Sequence, residues 1–133
     1  MFEKFRFSQK QIDIYFRSAT RDFKIASNSV IPEVVFKFCY DALIKLAIAI
    51  CAKNNLRIKA RQGHHIELLG KLAVFLEDKD IEIIGNKMRS KRNLDLYGGG
   101  VFISNKEAEE YRNWLKKLFK QTDAYLNKEK RLF

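Results

Sequence analysis

Proline occurs once and glycine six times in the 133 residues of this chain. Turn chemistry is therefore scarce, which leaves room for few connections and favours a small number of long helices over many short strands. Cysteine is as sparse: Cys39 and Cys51 stand twelve positions apart in a stretch that reads as one helix. At the helical rise they would lie about 18 Å from each other, far beyond disulfide reach. Both read as small buried hydrophobes in a reducing compartment. The two histidines, His64 and His65, are adjacent, so they do not share a helical face and make no metal site without ligands from elsewhere. There is no Walker loop, no G-x-G-x-x-G after a strand and no H-E-x-x-H. Gly98-Gly99-Gly100 follows a helix where a phosphate loop would precede one, and reads as a helix stop. No metal and no cofactor is expected.

Long apolar runs are missing too. The run Leu46 to Ala52 is far too short to span a bilayer, and Met1 to Arg6 has no apolar stretch of signal-peptide length. The expectation is a cytoplasmic protein with no membrane partner. Carboxylates are outnumbered, with 16 Asp and Glu against 26 Lys and Arg, for a net charge of +10 and a pI near 9.7. Such a surface attracts polyanions, most simply nucleic acid or an acidic protein. What is present, 47% hydrophobic and 32% charged residues, is the composition of a globular chain. Its length suits a single domain, residues 1–133, with enough chain to bury a core.

Hydrophobic periodicity outlines the helices. From Ser8, read as an N-cap, Ile12, Phe16, Ala19, Phe23 and Ala26 recur at helical spacing up to Ser27-Asn28-Ser29. Pro32 opens a second helix to about Lys53, whose Val34, Val35, Phe38, Ala42, Leu43, Leu46, Ala47, Ile50 and Cys51 make the wide apolar surface of a central helix. Lys37, Tyr40, Asp41 and Lys45 interrupt it, and Asp41 and Lys45, one turn apart, are expected to pair within the helix. After Asn54-Asn55, the stretch Leu56 to Ile66 carries Arg57, Lys59, Arg61, His64 and His65 with no acidic residue. It is either a solvated basic connector or an anion or RNA contact. Gly63 reads as a turn before a third helix with Ile66, Leu69, Leu72, Ala73 and Leu76 on one face. Glu77-Asp78-Lys79-Asp80 suits a connection and the start of a fourth helix. Ser104-Asn105-Lys106-Glu107 has the form of a capping box opening the last. That helix runs through Ala108, Tyr111, Leu115, Leu118, Thr122 and Tyr125, widened by Trp114 and Leu126, and a frayed tail follows from Lys128. The predicted fold class is all-α, a four- to five-helix up-and-down bundle.

One stretch departs from this regularity. Ile81, Ile84 and Met88 recur at helical spacing, so Arg92 falls where another aliphatic residue is due. Either it snorkels from the edge of the stripe, or it marks a functional break in the pattern. Lys87, Arg89, Lys91 and Arg92 form a second basic concentration, and Asn93, Asp95 and Tyr97 add polar chemistry. Arginine offers a fixed fork to phosphate and would stabilise the extra charge developed if RNA were cleaved. Cleavage through the neighbouring 2′-hydroxyl also needs proton transfer near neutrality, which histidine supplies easily and Tyr97 poorly.

These pieces together resemble the HEPN family of helical bundles found in toxin–antitoxin pairs, antiviral systems and RNA-processing proteins. Tyr15 to Ala19 with Arg21-Asp22-Phe23 resembles the family's opening helix, and Phe38 to Ala47, with Asp41 and Lys45 as polar support, its second. Gly63 to Leu69 resembles the histidine-containing start of its third helix, and Arg92-Asn93 the beginning of its arginine, polar residue, spacer and histidine signature. At the spacing of that histidine this chain has Tyr97. The resemblance implies a homodimer whose motif helices face one another across a basic cleft, and for some members a nucleotidyltransferase partner that modifies a tyrosine near the motif. The reading is a HEPN-like RNA- or nucleotide-binding protein, of toxin–antitoxin or defence type, with weak or absent ribonuclease activity. One alternative is an active metal-independent endoribonuclease using Arg92 with Tyr97 or a nearby histidine. Another is an interaction bundle that contacts no nucleic acid. Candidate catalytic residues are Arg92, Asn93 and Tyr97, and candidate RNA contacts are Lys87, Arg89, Lys91, Arg92, Arg57, Lys59, Arg61, His64 and His65.

Overall fold

The central helix expected from Pro32 is the axis of the structure, a computed structural model that describes residues 2–59 and 64–128. In chain order the elements are β1 (Phe2–Lys4), α1 (Gln9–Asn28), α2 (Pro32–Lys53), β2 (Leu56–Ile58), α3 (His64–Phe75), α4 (Lys79–Tyr97) and α5 (Asn105–Leu126). This is an all-α bundle bearing one short two-stranded ribbon. Arg61 and Gly63, and the tail beyond Lys128, lie outside the described residues.

Local chemistry sets the helix boundaries. Ser8 caps α1, with Gln11 returning a bond to the Ser8 amide at 2.9 Å, and Ser104 and Glu107 do the same for α5. Each box satisfies amides that no helical carbonyl can reach. Pro32 starts α2 at the first turn, where its missing N–H costs nothing. At the other end of α1, Arg112 of α5 donates to the Ala26 carbonyl at 3.2 Å and to the Ser29 carbonyl at 2.5 Å. A cation is placed where the helix dipole is negative.

α2 is apolar nearly all round, and α1, α3, α4 and α5 all pack on it. Phe36, Cys39, Leu43, Leu46, Ala47 and Ile50 are among its buried side chains. α3 and α4 form a hairpin whose axes approach closely at Gly85, where any Cβ would stand 2.7 Å from the Leu69 side chain. The turn between them is closed by Asp78 N–H to the Ala73 carbonyl, and Glu77 takes the left-handed conformation at φ 53°. Gly98 ends α4 with its amide on the Leu94 carbonyl, and Gly99 and Gly100 continue at positive φ.

Three expectations need correction. Leu56–Ile58 is no mere connector: it pairs antiparallel with Phe2–Lys4, Glu3 opposite Arg57. Asp41 and Lys45 do not pair with each other: the Lys45 ammonium lies 2.6 Å from Asp22 Oδ2 of α1, while Asp41 faces Arg92 of α4. Asp22 is only 2% exposed, and a buried carboxylate attracts a cation more strongly than a half-exposed one does. Ile66 is exposed, because the inward line of α3 passes through His65, Leu68, Leu69 and Leu72 instead.

Two stability measurements check these assignments. Lys45→Met leaves the buried Asp22 carboxylate only the exposed Arg21 guanidinium at 3.6 Å and is expected to lower the unfolding free energy by about 2 kcal/mol in urea titration. Glu77→Gly relieves a left-handed side chain, and by calorimetry should leave stability equal or raise it by up to about 1 kcal/mol.

Candidate functional site

α2 carries Tyr40 and Asp41 side by side in an otherwise apolar helix, and each must find a polar partner outside it. Tyr40 is 1% exposed, and its hydroxyl lies 2.8 Å from Nδ1 of His65, at the start of α3. The Arg92 guanidinium of α4 stands over the same ring, 5.5 Å from its centroid. Arg92 Nε is 3.9 Å from Asp41 Oδ1, too long for a hydrogen bond, so the contact is one of charge. Its side chain keeps 30% of its surface exposed. One turn earlier Arg89 is half-buried, its Nε donating to Asn86 Oδ1 at 3.2 Å. The His64 and His65 rings meet edge to face at 4.4 Å.

These surroundings fix protonation. Burial pushes the Tyr40 hydroxyl up to about 12, against the opposing pull of Arg92 and Arg89. Burial, then His64, Arg92 and Arg89, push His65 down to about 4. Burial raises Asp41 as well, with Arg92 opposing. At neutral pH the cluster thus holds a protonated tyrosine and an uncharged imidazole beside two guanidinium groups. It can receive an oxyanion: the arginines supply charge and fixed donors. It is poorly matched to proton transfer at pH 7, since an imidazole with a midpoint near 4 is a weak base and is not available as an acid.

The sequence-predicted residues divide into those the fold gathers here and those it sends elsewhere. Arg92, Arg89, His65 and His64 converge, with Asp41 as the expected support. Lys91 turns to α5, pairing with Glu107 and lying 5.9 Å from the Tyr111 ring centroid. The Glu107 bond raises the Lys91 ammonium. Lys45 serves Asp22 rather than the cluster. Arg57 belongs to the ribbon, where it pairs with Glu3 at 2.5 Å and covers the Phe5 ring at 4.3 Å, and Lys59 lies 4.0 Å from the same carboxylate. Lys87 and Asn93 are exposed on α4. Tyr97 closes α4, and its side chain lies outside the described residues, as does Arg61. The two basic concentrations therefore meet through the histidines, while Arg57 and Lys59 stay with Glu3.

Tyr40 is the residue that sequence reasoning passed over as a site member. A buried tyrosine hydroxyl needs a hydrogen-bond partner, and its neighbour Asp41 in an apolar helix was the available signal. Among the described residues no group of three or more His, Cys, Asp or Glu side chains is placed to hold a metal ion, and no helix is long and apolar enough to cross a membrane. No family model, no curated protein and no solved structure matches the chain.

The His65 assignment can be read by proton NMR. Its imidazole should titrate near pH 4, and Arg92→Ala should move the midpoint upward because one source of repulsion is gone. The sign for stability follows: between about 6.5 and about 4 the unfolded chain binds a proton that folded His65 refuses. The His65 contribution to unfolding free energy should fall as pH drops through that window and level off below it. The difference between wild type and His65→Phe in acid denaturation isolates it from Asp41, whose raised pKa acts in the opposite sense.

Proposed function

We propose that this chain is a HEPN-like module that binds RNA, or a nucleotide, by its phosphate at the Arg89, Arg92 and His65 cluster, with weak or absent ribonuclease activity. The observation that carries the reading is the state of Arg92. It sits at the position where an aliphatic residue was due, partly exposed, 3.9 Å from its carboxylate rather than locked to it. Its hydrogen-bonding fork therefore remains open to a ligand. The neutral imidazole beside it adds a polar ring without a competing positive charge, and His65 at about 4 supports binding over cleavage.

In this reading the protein acts in a toxin–antitoxin or defence-type pair, as a homodimer in which two copies of Arg92 line one groove. A nucleotidyltransferase is a fitting partner, with Tyr97 the tyrosine near the motif that it would modify. A second reading, metal-independent endoribonuclease activity, is favoured by one observation: Tyr40 joins a histidine to the arginine site. A phosphate bound between Arg89 and Arg92 would offset their repulsion of His65 and bring its midpoint nearer neutrality.

Labelled single-stranded RNA tests both. Anisotropy should give an affinity that falls steeply between about 50 and about 200 mM salt, as counterion release requires. Arg92→Ala should weaken binding about tenfold without unfolding the protein, the loss of one charge-assisted contact. A lowered melting temperature with unaltered affinity would make Arg92 structural. The same RNA incubated in chelator and run on a denaturing gel separates the readings: intact RNA supports binding alone. Cleavage lost in both Arg92→Ala and His65→Ala establishes the nuclease.

A further inference from the structure

The α3–α4 hairpin has two ends. One carries the histidine and arginine cluster, and the other, at the turn, opens into a groove of about 700 Å³ lined by Ala73, Val74, Glu77, Asp78, Glu82 and Ile83 together with Lys79 and Asn86. Val74 is 68% exposed and Ile83 56%, two large aliphatic side chains facing water across one concavity. Around them stand three carboxylates and a single ammonium, the reverse of a chain whose net charge is +10. Asp78 is occupied, capping α4 through Asp80 N–H at 3.1 Å and accepting from Gln121 Nε2 at 3.2 Å. Glu77 and Glu82 are exposed and form no ion pair among the described residues. Glu77 holds its carboxylate at the groove from a left-handed backbone, φ 53°, where glycine would be easier.

We propose that this groove docks a basic amphipathic segment of a partner protein, its aliphatic side chains covering Val74 and Ile83 and its Lys or Arg side chains pairing with Glu77 and Glu82. Charge complementarity decides the occupant. An apolar floor asks for an apolar face, and the acidic rim selects cations beside it. RNA phosphates are repelled by the same rim, so the groove takes a different ligand from the anion site, which it approaches only at Asn86, a lining residue that accepts from Arg89. The net charge of +10 disfavours a cationic peptide over the chain as a whole, which makes an acidic-rimmed groove the place for such a ligand.

The probe is a synthetic helical peptide with leucine on one face and lysine on the other, compared with a twin in which every lysine is glutamate. Nitrogen-15 HSQC titration of the whole chain should show saturable shifts at residues 73–86 with the lysine peptide and none there with its twin. The double variant Glu77→Gly, Glu82→Gln should weaken that binding about tenfold while remaining folded. Ile83→Asp should abolish it, and Arg92→Ala should leave it unchanged. Equal binding of the twin, shifts centred elsewhere, no saturable binding, or full affinity in the double variant each overturns the proposal. So does a concentration-dependent dimer in sedimentation that Ile83→Asp dissolves, since the occupant is then a second copy of this chain. Loss of RNA binding in wild type, by contrast, would bear on the anion site alone.

Discussion

Three polar residues in the middle of α2 hold the bundle in register. Tyr40, Asp41 and Lys45 lie on a helix whose other middle side chains are largely buried and apolar, and each reaches a different neighbour: Tyr40 to His65 of α3, Asp41 to Arg92 of α4, Lys45 to Asp22 of α1. Apolar contacts alone would let a helix so uniformly hydrophobic rotate or slide with little penalty, because one aliphatic neighbour replaces another. The Tyr40 hydrogen bond and the short Lys45 ion pair remove that freedom, since a shift of one residue would strand a hydroxyl or the Asp22 carboxylate in the interior. Asn54, just past the C-terminal end of α2, extends the pattern to α5 through Tyr125 at 3.0 Å.

The candidate site is a by-product of this arrangement rather than an addition to it. The residues that orient α3 and α4 on α2 are the ones that bring His65 beside Arg92, so position and chemistry share the same atoms. Burial then separates the roles: it keeps the tyrosine protonated and the imidazole neutral, leaving the arginines to carry the charge. A site built in this way holds its shape before any ligand arrives, which lowers the ordering cost of binding.

Most of the helical framework was legible in the sequence because its signals are local. The Pro32 start, the Ser104 and Glu107 box and the stripe from Ile12 to Ala26 each depend on residues within a few turns of one another. The ribbon was not legible, since strands of three residues are too short for alternation to emerge. The partner of Lys45 was hidden for a different reason: Asp41 is nearer in sequence, but Asp22 is the more deeply buried carboxylate, and burial is a property of the assembled bundle. His65 illustrates the same limit. On periodicity Ile66 is the natural inward residue of α3, yet Tyr40 leaves a hydroxyl needing a partner at that point, and His65 takes the place.

The ribbon also bears on how the molecule comes together. Glu3 and Arg57 are 54 positions apart, and β1 has no partner until the whole of α1, α2 and the turn at Asn55 has been synthesised. α1 and α2, joined by a short turn, can meet early at small entropic cost, whereas the ribbon closes a long loop. During synthesis β1 must therefore wait for a strand made more than fifty residues later. Phe2, which packs against the core and lies under Lys71 of α3 at 5.4 Å, then acts as a late fastener, tying β1 to a helix made long after it.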